Sequence, residues 1–169
     1  MRFKPAVVAV VAGALLAPGA ASAQGPSYPE PKDPGTVTPA PQGKGNTFGV
    51  CKRGCRFRTI QAAVKKAHKG DTVRVANGRY RESVTLRGAR KSYIKLIGNA
   101  GAPGKVLLIG GGKRQNGVFV DGADEVTVRG FKAKNYVANG FFFTNVVGYT
   151  ARNLIAQRTG VYGIYAFNS

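Results

Sequence analysis

Apolar and polar residues alternate in short runs along the second half of the chain, and from residue 116 onward the runs recur at a fixed interval. Val118/Val120, Val126/Val128 and Phe131/Ala133 mark the first round. Displaced by 23 residues, Phe141/Phe143, Tyr149/Ala151 and Leu154/Ala156 take their places, and Ile164/Ala166 open a third. Six of the 23 paired positions in the first two rounds are identical: Asn116/Asn139, Gly117/Gly140, Phe119/Phe142, Thr127/Thr150, Arg129/Arg152 and Ala133/Ala156. A period of two is the pattern of a strand with one buried face. A longer ungapped period means one supersecondary unit stacked on copies of itself.

Three strands in 23 residues, separated by Gly and Asn, leave no room for a crossover helix. The regularly spaced leucines of a leucine-rich repeat are missing. The pattern therefore predicts an all-β solenoid, a parallel β-helix in which each strand pairs with its equivalent one coil away at about 4.8 Å. The competing reading, an antiparallel sandwich, requires the ungapped register to be coincidence. Upstream, Val73/Val75, Val84/Leu86, Ile94/Leu96 and the run Val106 to Ile109 continue the strands less regularly, as terminal repeats do.

One helix is predicted, over Thr59 to Lys69. Ile60, Ala63, Val64 and Ala67 form an apolar stripe at helical spacing, Thr59 is placed to cap the start and Gly70 to end it. Such an amphipathic helix suits the task of closing the open end of the first coil.

Thr59-Ile60-Gln61-Ala62-Ala63-Val64, Gly70-Asp71-Thr72-Val73-Arg74-Val75 and Asn77-Gly78-Arg79-Tyr80-Arg81-Glu82-Ser83-Val84 resemble the entry to the right-handed parallel β-helix of pectin-lyase-like proteins. Gly78-x-Tyr80-x-Glu82 is similar to a pattern at the same place in pectin methylesterases. The resemblance covers residues 57 to 169 and implies a right-handed coil. It implies no activity, because the catalytic carboxylates and arginine of the methylesterases lie in later motifs that this chain lacks. Glu82 in that pattern is read as structural.

Residues 1–23 read as a signal peptide: Arg2 and Lys4, the apolar run Ala6 to Leu16, and Ala21-Ser22-Ala23 before Gln24. The run is too short to span a bilayer, which needs about 20 residues. Residues 24–47 form a Pro-rich linker, expected to be extended and solvated. Residues 48–70 hold the cysteine pair and the capping helix, and 71–169 the coils. In an exported chain Cys51 and Cys55 are expected to form a disulfide. A zinc site would need further N or S donors, and His68, the sole histidine, lies off the apolar stripe. The chain stops at Ala166-Phe167-Asn168-Ser169, inside the first turn of a coil. The expectation is an N-terminal portion of a longer solenoid, or an end covered by another subunit.

Charge narrows the partners. The chain has 26 Lys+Arg against 7 Asp+Glu, a formal net charge of +19. Removing Arg2 and Lys4 with the signal leaves 24 against 7, or +17. Such an excess implies anionic partners, an acidic polysaccharide or another anionic cell-envelope polymer, phospholipid headgroups or nucleic acid, or else serves only to keep the outward positions polar and soluble. Nucleic acid is disfavoured by export and by the lack of a recognised motif. The register implies two outward columns, Phe119/Phe142/Tyr165 and Arg129/Arg152, as candidate substrate-binding residues. Arginine pairs with carboxylates in a fork, and aromatic rings can stack on sugars. Like residues also stack merely to stabilise sheets, which is the preferred reading of the aromatic column. Asn116/Asn139 and Asn145/Asn168 are expected to form amide ladders at turns.

No catalytic set can be named. A glycosidase needs two carboxylates at a defined separation, and the acids of the body are Asp71, Glu82, Asp121, Asp124 and Glu125. The last three cluster at one turn, thin for calcium, which takes 6–8 oxygens. Gly110-Gly111-Gly112-Lys113 lacks phosphate-loop spacing and reads as a turn. No cofactor and no metal are expected. Two functions remain: a secreted polysaccharide binder, which in full-length form could act as a lyase, esterase or epimerase, or a non-catalytic surface or adhesion scaffold.

Overall fold

A computed structural model describes Asp33 and residues 35–169, all within the unit Pro31–Ser169. The expected signal peptide and the first part of the expected linker lie outside the described residues. The elements run β1 (Thr47–Val50), α1 (Ile60–Lys66), β2 (Thr72–Val75), β3 (Gly78–Tyr80), β4 (Val84–Arg87), β5 (Lys95–Ile97), β6 (Val106–Ile109), β7 (Asn116–Asp121), β8 (Val126–Tyr136), β9 (Asn139–Thr144), β10 (Tyr149–Thr159) and β11 (Ile164–Phe167). This is an all-β arrangement with parallel sheets and a single short α-helix among the described residues. No helix among them is long and apolar enough to cross a membrane.

The 23-residue interval is a backbone register. β10 lies parallel to β8 with Tyr149 opposite Val126, Arg152 opposite Arg129 and Ala156 opposite Ala133. β9 lies parallel to β7, and β11 to β9, with Phe119, Phe142 and Tyr165 in line. One sheet has the order β1-β2-β5-β8-β6-β3 with β10 on β8; the other is β11-β9-β7-β4. The expected three strands per round become two, because the second and third fuse into the 11-residue β8, which bends at Gly130. Gly130 has φ 80°, and a Cβ there would lie 2.6 Å from the Asn99 carbonyl carbon, so only glycine fits the corner. Gly98 N–H and Asn99 N–H pair across it with the carbonyls of Arg129 and Gly130.

Earlier rounds differ in length. Thr72 pairs with Lys95 and Lys95 with Thr127, steps of 23 and 32, while Val84 pairs with Val118, a step of 34. The extra residues form two 3-10 turns, Ala89–Lys91 and Pro103–Lys105, and the Gly110–Gly112 turn, where the sequence reading also placed a turn. The strands themselves keep their register despite these insertions.

The expected inward residues form the core. Val118, Val120, Val126, Val128, Phe131, Ala133, Phe141 and Phe143 are fully buried. Each large apolar side chain buried this way stabilises the fold by about 1.5–3 kcal/mol. The inward positions of β10 and β11 keep the same phase but pair on one side only, and Ile164 is 50% exposed. The repeated Asn-Gly has a steric cause: a Cβ on Gly117 would sit 2.5 Å from the Gly140 carbonyl oxygen, and one on Gly140 2.6 Å from that of Gly163. The amide ladders form as expected, Asn139 Nδ2 donating to Asn116 Oδ1 at 2.9 Å and Asn168 Nδ2 to Asn145 Oδ1 at 3.4 Å.

The helix is shorter than expected. Thr59 caps it, its hydroxyl accepting from Ala62 N–H at 3.3 Å, but Lys66 is its last residue and Ala67 is extended (φ −65°, ψ 143°). The expected last turn is lost because other groups claim its ends. The Lys91 ammonium donates to the carbonyls of Val64 (2.7 Å), Lys65 (3.1 Å) and Ala67. His68 N–H donates to Asp71 Oδ2 at 2.7 Å, which pulls the chain into β2. Burial lowers the Lys91 pKa, with Asp71 acting in the opposite sense. At the other end Glu82 accepts from Ile60 N–H (3.0 Å) and Gln61 N–H (2.8 Å), the structural role expected of it.

The sheet also begins earlier than the expected boundary at 71. β1 pairs with β2 from Thr47 onward, and its four residues are too few to show a period after the Pro-rich stretch. The segment 35–46 ahead of it is largely exposed, yet it is tied down. Thr38 donates both its N–H (2.8 Å) and its hydroxyl to Asp124 Oδ2, and Asn46 N–H donates to Asp71 Oδ1 at 2.7 Å. Cys51 and Cys55 are paired at disulfide distance, with sulfurs 2.06 Å apart.

Candidate functional site

Parallel pairing turns residues two apart on each strand into columns across the outer face. Thr47, Thr72, Lys95, Thr127 and Thr150 form one column. Gly49, Arg74, Ile97, Arg129 and Arg152 form the next. Beyond the bend, Arg79, Leu107, Lys132 and Ile155 form another. Arg74, Arg79, Lys95, Arg129 and Arg152 are exposed.

Arg129 and Arg152 are thus brought together as direct neighbours on strands about 4.8 Å apart. At that spacing two exposed like charges repel by roughly 1 kcal/mol in water, and cross-strand like charges are destabilising. Among the described residues no ion pair on this face offsets the repulsion. The ion pair found among the described residues, Arg87 Nε to Asp121 Oδ2 at 3.0 Å, lies on the other sheet. Glu125, two residues ahead of Thr127, is the nearest carboxylate along β8.

Sequence reading missed Arg74 and Lys95 as members of these columns. The 32-residue step between Lys95 and Thr127 hides them from a search at one period. A visible signal was the tripeptide Thr72-Val73-Arg74, identical to Thr127-Val128-Arg129.

The aromatic column is also assembled. Phe119 and Phe142 stack at 5.2 Å between centroids and 20° between planes, Phe142 and Tyr165 at 5.1 Å and 17°. Its ends are occupied as well: the Arg87 guanidinium lies 5.6 Å from the Phe119 ring, and the Tyr162 ring 4.5 Å from that of Tyr165. The rings spend their faces on one another and turn edges outward, so the column resembles a sheet-stabilising stack more than a sugar platform.

Asp71, Glu82, Asp121 and Asp124 are engaged within the fold. Asp71 is buried and accepts from the Asn46 and His68 amides. Asp124 is buried and accepts from Thr38 and, at 2.9 Å, from Val147 N–H. Burial would raise the pKa of Asp124, but the hydrogen bonds from the Thr38 hydroxyl and the Val147 and Thr38 amides outweigh it and leave the pKa lowered. Tyr136 is buried, donates to the Glu82 carbonyl at 2.5 Å, and is pushed well above the ordinary phenol range mainly by burial. Among the described residues no group of three or more His, Cys, Asp or Glu is arranged to hold a metal ion.

No family model, no curated protein and no solved structure matches the chain. Fold and site together define a class: an all-β protein with parallel sheets and a ladder of cations on one outer face that has no ion-pair partner among the described residues.

Proposed function

We propose that the body is a right-handed parallel β-helix of the pectin-lyase-like kind, exported from the cell, whose basic outer face binds an acidic polysaccharide. The observation that carries the reading is the Arg129–Arg152 pairing, extended by Arg74 and Lys95, with no ion-pair partner among the described residues. Like charges held in register on a rigid sheet are a cost to the free protein that a polyanion removes. Guanidinium forks suit carboxylates repeating along a uronate chain, and the spacing of the column suits a ligand running across the strands.

A non-catalytic role, as a surface or adhesion scaffold, is the second reading. It is favoured by the engagement of Asp71, Glu82, Asp121 and Asp124 in backbone hydrogen bonds or an ion pair, which leaves few acids for chemistry. The polysaccharide reading is tested by binding of polygalacturonate and alginate across a salt series. Affinity is expected to fall steeply as ionic strength rises, because exposed charges are screened within about 8 Å at 0.15 M. Indifference to both polymers at low salt would overturn it. Turnover of either polymer would decide against the scaffold.

A further inference from the structure

The first column opens at its Thr47, Thr72 and Lys95 end onto a cavity of about 340 Å³ that the sequence does not announce. Its walls come from two parts of the chain. Pro41, Gly43, Lys44 and Gly45 belong to the tied-down segment ahead of β1, while Thr47, Thr72, Tyr93, Lys95 and Glu125 come from the sheet and its corners. The segment is seated without slack: a Cβ on Gly45 would lie 2.1 Å from the Gly70 carbonyl oxygen, and one on Gly70 2.6 Å from Pro41 Cγ. The cavity is therefore built into the fold by the contacts of Gly45, Pro41 and Asn46.

A second observation concerns Tyr93. Corner residues two positions ahead of the paired Thr72, Lys95, Thr127 and Thr150 are Gly70, Tyr93, Glu125 and Gly148, and all four have positive φ. Glycine takes this conformation freely, whereas another L-residue incurs about 1–2 kcal/mol. Tyr93 sits there at φ 60° and is one of the residues lining the cavity. The Lys69 ammonium lies 5.9 Å from the ring centroid, and Lys44 and Lys95 line the cavity itself. Local strain retained where a glycine would relieve it marks functional positions.

The geometry points to a subsite for one carboxylated sugar unit, at the end of the first column, and this inference rests on the polysaccharide reading above. Lys44 and Lys95 are placed to hold the carboxylate, Thr47 and Thr72 to exchange hydrogen bonds with hydroxyls, and the Tyr93 ring to cover an apolar sugar edge. Glu125 also lines the cavity, its carboxylate lying toward Gly148. A negative charge beside the site disfavours a doubly charged phosphate, so a polyhydroxylated unit with a single negative charge fits best. Thr72 and Lys95 belong to the same outer column as Thr127, so a chain seated in the cavity continues onto the arginines.

The test is an amide chemical-shift titration of the 15N-labelled protein with D-galacturonate, D-glucuronate, D-galactose and inorganic phosphate, alongside polygalacturonate binding. A uronate is expected to shift Gly45, Thr72, Tyr93 and Lys95, with galactose and phosphate at least 10-fold weaker. The double variant K44A/K95A should weaken that response at least 10-fold, and K105A/K113A, which removes equal charge elsewhere, should change it less than 2-fold. Y93G relieves the corner, so it should fold at least as stably as the native chain yet bind the uronate several-fold more weakly. Shifts confined to residues 127–129 and 150–152, no shift with either uronate, or tighter binding of phosphate would each overturn the subsite. Polygalacturonate binding that persists in the face of such a result leaves the polysaccharide reading intact. Loss of polymer binding with a retained monomer response sinks that reading and keeps a monosaccharide site.

Discussion

Thr38 and Asp124, 86 residues apart in sequence, are joined by two hydrogen bonds, from the Thr38 amide and hydroxyl to one carboxylate oxygen. The same carboxylate accepts from Val147 on the next round, so one side chain anchors the segment 35–46 and braces two turns of the repeat. Its pKa is lowered in the folded protein. The stability it contributes is therefore full above the unfolded-state value near 3.9 and is lost as pH falls through the lower folded value. Below about pH 4 the segment is expected to loosen, read as faster proteolysis or amide exchange at residues 35–46. In D124N that acid-dependent step should disappear; an unchanged pH profile in the variant would rule out this anchor.

Gly140 to Ala should destabilise by about 1–3 kcal/mol, since overpacking forces side chains or backbone to move. The new methyl would meet the Gly163 carbonyl oxygen at 2.6 Å and Ala156 Cβ at 2.9 Å. Gly104 to Ala is the control, with open space at its Cβ position. Denaturant midpoints for the two variants compare directly, and equal midpoints would contradict the close approach of successive rounds.

The two ends of α1 are capped from distant elements, and each cap is separable. E82A removes the acceptor for the Ile60 and Gln61 amides, and K91M removes the donor to the Val64, Lys65 and Ala67 carbonyls. Each is expected to cost about 1–3 kcal/mol in thermal or chemical unfolding. Protection of the helix amides should fall in both variants while that of β8 and β9 persists.

R129A/R152A is expected to weaken polygalacturonate binding and flatten its salt dependence, because the sheet loses the charges proposed to meet the polymer. Stability should stay within about 0.5 kcal/mol of the native value, or rise slightly as repulsion is relieved. Undiminished affinity would move the binding surface elsewhere.

The repeat was readable because side-chain phase and backbone register obey the same period where no insertion intervenes. Phe119, Phe142 and Tyr165, or Arg129 and Arg152, could be placed in columns from spacing alone. The helix start was readable for a local reason, the Thr59 hydroxyl reaching Ala62 N–H. Its end was not, because the groups that claim its last turn, Lys91 and Asp71, lie outside it and are brought there by the sheet.

What the amino-acid order determined by itself is therefore local and periodic: which faces are buried, which residues repeat, and the sign of the surface charge. What only the tertiary structure decided is where unequal loops leave their neighbours. Insertions of different length hid Arg74 and Lys95 from the count, although backbone pairing restored them to the columns. The cavity behind Tyr93 and the anchoring of Thr38 have the same origin. They join segments far apart in sequence, and such contacts depend on the folded path of the chain, which no local pattern encodes.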